Sequence, residues 1–302
     1  MSVCDVVVPT YNGTEKLKKT IQALREQSVP PSWSVRLVVV DDGSLDGDSE
    51  AAVCTIQWDA PWEKPLYKKV RHGGRSYARN IGIDCSGGEV LLFLADDIVL
   101  RPGALAEHLL FHERNQGTSA AALGCISWDR EIMPTPFMEW MNHGGQQNNY
   151  DALLGELFAK PESFFYGSFV SVKKALLGDE RFSEEFSQYG WEDLEFGERL
   201  GRKGMRLYVL HDAVAHHSHR YTAVELLRRQ RIVGAARYRV NTNGSRKVKH
   251  ALYGILGIRF IFRKILELWG DTLNTPRFFG LVTAGEFWYG VHHANRLLKS
   301  KK

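Results

Sequence analysis

The sequence predicts an α/β fold in which a sheet with parallel strands is flanked by helices and followed by a basic, helical extension. Short continuous apolar runs alternate with segments whose apolar residues recur at helical spacing, which is typical of βαβ units. Two acidic pairs stand beside strongly apolar residues, one directly after such a run and one at the start of a helical segment. Charged pairs in such surroundings indicate a metal or proton-transfer site at one edge of the sheet.

The first third of the chain contains three apolar runs that predict buried strands. They cover residues 4–9, 35–40 and 90–94. After the first run, Leu17, Ile21 and Leu24 stand at helical spacing behind Thr14, a residue type that can cap a helix. Residues 73–80 lead into a second helix. We therefore expect parallel strands joined by helices over this part of the chain.

The middle of the chain continues the alternation of strands and helices. Helices are predicted at residues 102–111, 191–201 and 222–240. Strands are predicted at residues 120–127, 164–172, 205–209 and 214–219. Residues 128–150 are rich in Gly, Asn, Gln and Met and predict a long loop over the site. These elements give a folded body of residues 1–240 and a helical extension of residues 241–302.

Composition limits the class of protein and its compartment. The chain has 302 residues, 44% of them hydrophobic, and a net charge of +4. Residues 245–302 hold eleven Lys or Arg against three Asp or Glu, a net charge of +8, which leaves about −4 for the rest. The four cysteines are scattered, which indicates a reducing compartment and neither a disulfide framework nor a zinc site. With no leader pattern and no apolar run of ~20 residues, we expect a cytoplasmic protein, free or on a membrane surface.

Asp96-Asp97 is the sharpest chemical signal, because it directly follows the apolar run of residues 90–94. Ligands of open α/β sheets bind at the carboxyl ends of strands, and hard divalent cations prefer oxygen ligands. The pair is therefore a candidate to hold Mg²⁺ or Mn²⁺ beside a diphosphate, with a helix N-cap as the alternative. Arg79 precedes this strand and can neutralise a phosphate or pair with a carboxylate.

Polar residues also follow the first two predicted strands. Pro9, Thr10 and Tyr11 end the first, and Asp41 ends the second. A carboxylate there can accept a hydrogen bond from a base or a sugar, and Tyr11 can stack on a nucleobase. The alternatives are a turn or helix cap for Asp41 and ordinary packing for Tyr11.

Glu192-Asp193, the second acidic pair, opens a predicted helix directly after Trp191. The helix dipole favours carboxylates at this position, which alone would explain the pair. In the functional interpretation, a carboxylate there deprotonates an acceptor hydroxyl and Trp191 is an apolar platform for a sugar ring.

His216, His217 and His219 form a histidine cluster at the end of a predicted strand. Successive residues of a strand point to opposite faces, so the pattern favours one metal ligand over three. A hydrogen-bonded structural histidine is the alternative for the others.

Several motifs are absent from the sequence. No Gly-x-Gly-x-x-Gly follows the first strand, which disfavours a dinucleotide oxidoreductase. There is no Gly-Lys-Ser/Thr phosphate loop and no serine nucleophile elbow. No nucleic-acid-binding module is recognisable, so nucleic acid is not an expected partner.

Taken together, five motifs over about residues 3–240 resemble the family 2 inverting glycosyltransferases of the GT-A fold. They are Val8-Pro9-Thr10-Tyr11-Asn12, Val39-Val40-Asp41-Asp42-Gly43-Ser44, Ala78-Arg79-Asn80-Ile81-Gly82, the segment 88–97 and Trp191-Glu192-Asp193-Leu194-Glu195. Each is modest alone, and their order is highly specific. The resemblance implies a hexosyltransferase of polysaccharide biosynthesis whose α/β fold has a mixed sheet flanked by helices. Its Rossmann-like nucleotide-sugar-binding half would be residues 1–100 and its acceptor-binding half residues 101–240.

The resemblance also implies ligands and residue roles. The donor would be a nucleotide sugar, with uridine favoured, and the cofactor would be Mn²⁺ or Mg²⁺. Donor-side residues would be Pro9, Thr10, Tyr11, Asp41, Arg79 and Asp96, with Asp97 and His217 as metal ligands. On the acceptor side, Asp193 would be the general base, Glu192 would orient the acceptor, and Trp191 would contact it.

Two positions depart from the family pattern. Ala95 stands where Asp-x-Asp has its first carboxylate, which bears on metal geometry. The Asn usual in the segment of residues 167–171 is replaced, which bears on acceptor choice. The mechanism implied is one in-line displacement at the anomeric carbon with inversion of configuration.

The basic, aromatic extension of residues 246–302 suits an anionic membrane surface. A glycan or lipid-linked saccharide is then the expected acceptor. The alternative is that these helices dock on the body or pair between subunits of a homo-oligomer. Two competing classes stay open at this point: a non-catalytic nucleotide-sugar-binding or scaffold protein, favoured by Ala95, and a nucleotidyltransferase, which leaves the Trp-Glu-Asp motif unexplained.

Overall fold

The structure, a computed structural model, describes residues 1–142, 149–186, 190–240, 264–265, 268 and 275–293. The chain divides by its internal contacts into two units. The first comprises Met1–Asp129, Ala152–Ser187 and Glu192–His219, and the second comprises Arg130–Asp151, Gln188–Trp191 and Arg220–Lys302. Most of the predicted extension of residues 241–302 lies outside the described residues. Its boundary and its predicted membrane or subunit contacts therefore stay predictions.

Nine strands of the first unit form one sheet. They are β1 (Ser2–Thr10), β2 (Trp33–Asp41), β3 (Leu66–Lys69), β4 (Val90–Leu94), β5 (Ile98–Leu100), β6 (Ala120–Trp128), β7 (Phe158–Ala159), β8 (Phe169–Lys173) and β9 (Arg206–His217). Their order is β3-β2-β1-β4-β8-β6-β9-β5, and β7 pairs with β9.

The helices of the described residues lie between and after these strands. They are α1 (Thr14–Arg25), α2 (Ser49–Cys54), α3 (Arg75–Cys85), α4 (Ala104–Arg114), α5 (Pro136–Asn142), α6 (Pro161–Phe164), α7 (Lys174–Leu177), α8 (Glu192–Arg202), α9 (Ala223–Val240) and α10 (Pro276–His292). Among the described residues, no helix combines the length and hydropathy that crossing a bilayer requires.

The parallel half of the sheet consists of β3, β2, β1 and β4. β1, β2 and β4 read as continuous apolar runs because a parallel strand is covered on both faces, and their central residues are fully buried. Helix α3 lies against this sheet through Gly82, where a Cβ atom would overlap Val7. The strands predicted at residues 4–9, 35–40 and 90–94 are confirmed.

The sheet changes direction at β8, which lies antiparallel between β4 and β6. Leu94 pairs with Phe169, and beyond the ladder the amide of Ala95 donates to the carbonyl of Ser168 over 3.1 Å. The segment that follows β4 and the segment that precedes β8 are therefore neighbours at one edge of the sheet.

A buried ion pair ties the opposite end of the parallel strands together. Asp5 in β1 has no exposed surface and accepts from Arg36 Nε over 2.7 Å. Its other oxygen accepts from the amides of Gly87 and Gly88, over 2.8 and 2.7 Å, in the turn before β4. Both oxygens of the buried carboxylate thus accept hydrogen bonds, which stabilises an otherwise costly buried charge.

Helix α4 contributes two histidines to the core of the antiparallel half. His108 Nδ1 and His112 Nε2 both lie within hydrogen-bonding distance of Ser171 Oγ, at 2.7 and 2.8 Å. All three residues are at most 2% exposed. Burial lowers the pKa of each imidazole to about 3, His112 adding to the effect on His108 and Lys173 to the effect on His112. The pair is therefore neutral in the folded chain.

Two strand predictions need correction. The strand predicted at residues 164–172 begins only at Phe169, because Pro161–Phe164 forms a helical turn. The strands predicted at residues 205–209 and 214–219 are one strand, β9, which continues through the polar residues between them. A register shift against β6 between Gly124 and Cys125 accommodates the interruption, which is the usual effect of a bulge.

The predicted loop of residues 128–150 is wrong for its described part. It contains α5, whose Phe137, Met138 and Met141 are buried in the second unit. Phe137 packs edge-on against Phe279, with ring centroids 4.9 Å apart.

Thr14 is likewise not the cap of α1. Gly13 holds that position, and the Thr14 hydroxyl donates to the carbonyl of Asp46 over 2.7 Å.

The second unit places α9 and α10 in close contact. A Cβ atom at Gly234 would overlap the backbone of Phe287, so the absence of side chains lets the helices approach. Glu286 is fully buried in α10 and accepts from Arg231 Nε over 2.7 Å. The helix predicted at residues 222–240 is confirmed as α9.

Candidate active site

The acidic pair Asp96-Asp97 lies directly after β4, as predicted. Asp96 Oδ2 accepts a 2.6 Å hydrogen bond from Thr10 Oγ1, which joins the ends of β1 and β4. The Thr20 hydroxyl donates to the Asp96 carbonyl over 2.9 Å and fixes the backbone. Burial and the adjacent Asp97 raise the pKa of Asp96 to about 7, against the opposing hydrogen bond from Thr10.

Asp97 and His217 lie together, although they are far apart in the sequence. β5 and the end of β9 are antiparallel neighbours, with Ile98 opposite His217, and Asp97 Oδ2 is 3.7 Å from His217 Nε2. The Ser218 amide donates to the Asp97 carbonyl over 2.9 Å. The neighbouring His216 faces a different partner, with Nδ1 2.9 Å from Ser127 Oγ.

These two side chains suit a divalent cation that is shared with a diphosphate. One carboxylate oxygen and one imidazole nitrogen are a donor set that Mn²⁺ accepts, and phosphate oxygens and water complete such a shell. Within the described part of the chain, no group of three or more His, Cys, Asp or Glu forms a self-sufficient metal site. The donor set therefore fits a metal that depends on the substrate for most of its ligands.

Asp41 is 1% exposed and anchors the turn after β2. Its oxygens accept from the Ser44 amide over 2.7 Å and from the Tyr67 hydroxyl over 2.6 Å. Burial raises the pKa of Asp41, but the hydrogen bonds from Tyr67 and Ser44 outweigh burial and hold it below its ordinary value. Asp41 is thus ionised, and Tyr67 is a site neighbour that only the pairing of β2 with β3 reveals.

Tyr11, 46% exposed, stacks on His72 with ring centroids 4.2 Å apart and planes at 22°. Asp42 holds this second ring in place, since its Oδ2 lies 2.8 Å from His72 Nδ1. The same carboxylate accepts from the amides of Gly73 and Gly74 over 2.7 and 2.9 Å. Sequence reasoning did not assign His72 a role; its signal was the His-Gly-Gly run before α3.

Pro9 lies in β1 opposite Val40 and keeps part of its surface exposed. Pro9, Thr10, Tyr11 and Asp41 are thus at adjacent ends of β1 and β2, the arrangement expected from the sequence.

Arg79, expected near the donor, lies on the other acidic pair. Its Nη1 donates to Asp193 Oδ1 over 2.8 Å, and its Nη2 donates to the carbonyl of Gly167 over 3.1 Å. The Gly167 amide donates to Asp193 Oδ2 over 3.0 Å, which closes a ring of three contacts. Gly167 was not assigned as a site residue, because nothing local in the sequence distinguishes it.

Glu192 and Asp193 differ in exposure. The Glu192 side chain is 3% exposed, and its Oε1 is 3.7 Å from both Arg75 and Arg79. The Asp193 side chain is 22% exposed, so of the two carboxylates it is the one open to a second substrate.

Trp191 belongs to the second unit and has a strained backbone, with φ at 74°. Its indole nitrogen donates to the carbonyl of Val233 over 2.8 Å. The side chain expected to stack on a sugar thus also has a structural partner in α9.

The main-chain hydrogen bond between Ala95 and Ser168 brings the Asp96-Asp97 pair and Asp193 to the same edge of the sheet. Asp96 and Asp97 follow Ala95, and Gly167, which holds Asp193, precedes Ser168. One sheet edge therefore presents a partly exposed acidic pair with a histidine and, beside it, the partly exposed carboxylate of Asp193.

Known proteins are similar to this chain in sequence and in fold. GalNAc(5)-diNAcBac-PP-undecaprenol beta-1,3-glucosyltransferase of Campylobacter jejuni is 32% identical over 193 residues, covering 64% of this chain and 58% of that protein. The chain therefore matches less than two thirds of that relative's length.

Solved structures are similar in fold. Staphylococcus aureus TarS in complex with UDP gives a TM-score of 0.55 at 17% identity, covering 100% of this chain and 93% of that chain. Mannosyltransferase PcManGT from Pyrobaculum calidifontis, in complex with GDP-Man and Mn²⁺, gives a TM-score of 0.53 at 18% identity, covering 98% of this chain and 73% of that chain. These likenesses confirm the expected mixed α/β fold of the GT-A type.

The sequence family is matched over residues 5–176, under the description Glycosyl transferase family 2. This match confirms the family resemblance and the glycosyltransferase class inferred from the motifs; it ends before the Trp191-Glu192-Asp193 motif, whose role stays a prediction. Because it spans more than half of the 302 residues, the chain belongs to glycosyl transferase family 2.

Proposed function

We propose that this protein transfers a sugar from a nucleotide sugar to a hydroxyl of a glycan or lipid-linked acceptor, with inversion and with Asp193 as general base. The observation that carries the proposal is Asp193 itself. It is a carboxylate held by two donors, still 22% exposed, at the sheet edge that also bears Asp97 and His217. A base must reach its proton while staying fixed, and this arrangement supports both requirements.

The donor would lie across the ends of β1, β2 and β4. The stacked rings of Tyr11 and His72 offer an exposed aromatic surface for a nucleobase. Thr10 and Asp96 stand at the next strand end, where a ribose or sugar hydroxyl would meet them. UDP is the favoured nucleotide, in line with the UDP complex of TarS, while the GDP-Man complex of PcManGT makes GDP the competitor to test.

Asp97 and His217 would hold Mn²⁺ or Mg²⁺. When bound, the cation supplies positive charge that neutralises the leaving diphosphate. Asp193 accepts the proton of the acceptor hydroxyl as its oxygen attacks the anomeric carbon. The bond from that carbon to the diphosphate breaks on the opposite face, so a single displacement inverts the configuration. Glu192 is buried, and its Oε1 lies 3.7 Å from the buried Arg79 and from the exposed Arg75, so it would hold these two cations beside Asp193.

The acceptor is proposed to be a saccharide, in its lipid-linked form by analogy with the Campylobacter relative, whose name specifies an undecaprenol-linked glycan. A protein that acts on such an acceptor works at a membrane surface, where the positive charge of residues 245–302 would favour anionic lipid.

Two measurements test the proposal. A thermal-shift screen of UDP- and GDP-sugars, each with Mn²⁺ or EDTA, reports binding because a ligand of the folded state raises the midpoint. A panel of free and lipid-linked oligosaccharides is then assayed for release of nucleoside diphosphate. Pyrophosphate release would indicate a nucleotidyltransferase, and no shift with any nucleotide would contradict donor binding.

The base is tested with Asp193→Asn. We expect transfer to fall by about 10²–10⁴-fold, the usual contribution of a general base, while the donor-induced shift persists. Asp179→Asn is the matched control, since Asp179 is an exposed aspartate of the same unit. A folded Asp193→Asn protein with a near-normal transfer rate would refute the assignment.

A further inference from the structure

The carboxylate of Asp193 is held from two directions by groups that are themselves joined. Arg79 donates to one oxygen and the Gly167 amide donates to the other, over 2.8 and 3.0 Å. Arg79 also donates to the Gly167 carbonyl over 3.1 Å. The amide and the carbonyl of one residue, Gly167, and one guanidinium therefore form a closed clamp around a single carboxylate.

The clamp is rigid because each part is buried. Arg79 is 3% exposed and its guanidinium lies 5.2 Å from the ring centroid of Phe182. The neighbouring Asn80 exchanges hydrogen bonds with the backbone of Phe182, over 2.8 and 2.9 Å, which fixes α3 against that segment. The guanidinium has no room to leave Asp193 without disturbing this packing.

Gly167 is at its position because the carboxylate comes so close. A Cβ atom there would lie 2.7 Å from Asp193 Oδ1 and 3.1 Å from Arg79 Cζ. Any other residue would push the carboxylate or the guanidinium away.

The clamp leaves the carboxylate able to work. A carboxylate offers about four lone-pair directions, and the clamp occupies one on each oxygen. The remaining directions, on a side chain 22% exposed, can accept an acceptor hydroxyl.

We propose that Gly167 and Arg79 are positioning residues that set the orientation and the proton affinity of Asp193. The inference rests on the proposed function, because it concerns the base of that reaction. It reassigns Arg79 from the donor to the base, and it gives a role to a glycine that the sequence motifs pass over.

The surroundings of Asp193 predict a specific pH response. Burial raises the pKa of Asp193 to about 6. The positive charges of Arg79 and Arg75 and the hydrogen bond from the Gly167 amide lower this pKa, and the negative charge of Glu192 raises it further. Asp193 must be ionised to accept a proton, so activity is present above pH 6 and falls below it. Removing the charge of Arg79 removes a group that stabilises the ionised form of Asp193. The acid limb of the pH profile, where activity falls as the pH is lowered, therefore moves to higher pH.

Gly167→Ala tests the close approach. We expect kcat to fall at least about tenfold, since a small displacement of a reacting group is costly, while KM for the donor and the donor-induced thermal shift are unchanged. Gly117→Ala is the matched control, because a Cβ atom at Gly117 would meet no atom within 4 Å.

Two variants of Arg79 test the contribution of its positive charge. Arg79→Gln should lower kcat and move the acid limb of the pH profile to higher pH. Arg79→Lys should return the acid limb to its original pH but recover only part of kcat, because an ammonium cannot bridge two partners as a guanidinium does. If Asp193→Asn abolishes transfer while both Gly167→Ala and Arg79→Gln keep kcat and the pH profile, the clamp is refuted and the function stands. If Asp193→Asn itself retains transfer, the proposed function fails first.

Discussion

The neutral histidine pair beneath the antiparallel strands predicts a measurable dependence of stability on pH. His112 is 2% exposed and has a pKa of about 3 in the folded chain, against about 6.5 in an unfolded one. The unfolded chain therefore binds more protons than the folded chain between these values. The stability that the neutral imidazole contributes is present above pH 6.5 and is lost as the pH falls.

The magnitude follows from the difference in pKa. Each pH unit between 6.5 and 3 costs about 1.4 kcal/mol for each buried histidine, so His112 alone accounts for about 2 kcal/mol between pH 7 and pH 5. Asp96 and Asp193, whose pKa values are raised, act in the opposite sense over part of this range. The whole-protein slope is therefore partly cancelled, and only a difference between variants isolates the histidine.

The assay compares the chain with its His112→Gln variant by urea unfolding at pH 7, 6 and 5, followed by tryptophan fluorescence. The difference in unfolding free energy between the variant and the unsubstituted chain should shift by about 2 kcal/mol in favour of the variant as the pH falls from 7 to 5. His211→Gln, at an exposed histidine, is the matched control substitution. A His112→Gln gap that does not change with pH would refute the reasoning, as would an imidazolium signal for His112 at pH 5 in the native spectrum.

Two further predictions concern the packing of the parallel strands. Gly82→Ala should destabilise the chain by about 1–3 kcal/mol in the same unfolding assay, because the new methyl group overlaps Val7; a neutral result would mean that α3 is not seated as described. Asp5→Asn should lower the unfolding free energy by about 2–4 kcal/mol, since the new amide turns a donor toward Arg36. Adding Arg36→Met should recover part of that loss, and strictly additive effects of the two substitutions would argue against a direct ion pair.

The sequence was sufficient where a local pattern carries the structure. The apolar runs that became β1, β2 and β4 are continuous because these strands are buried on both faces, so their carboxyl ends could be placed without a structure. Asp96 and Asp97 followed directly from that placement. β9 was misread as two strands, because its polar middle interrupts the apolar pattern while the backbone continues through a register shift.

The contacts that organise the site could not be read from the sequence, because they join distant positions. Arg79 and Asp193 are 114 residues apart, and Thr10 and Asp96 are 86 apart. Gly167 depends on β8 running antiparallel beside β4, and no periodicity predicts which strand becomes a neighbour. His72 follows β3 and meets Tyr11 only because β3 pairs with β2 and β2 pairs with β1.

The main-chain bond from Ala95 to Ser168 has a consequence for how such a protein can diversify. Through the sheet itself, it fixes the spacing between the acids after β4 and Asp193, the proposed base, which Gly167 holds before β8. Side chains elsewhere can then be exchanged without altering the distance between the acidic pair and Asp193. New acceptors can be acquired by remodelling the surfaces around this edge, while the reaction centre is inherited unchanged.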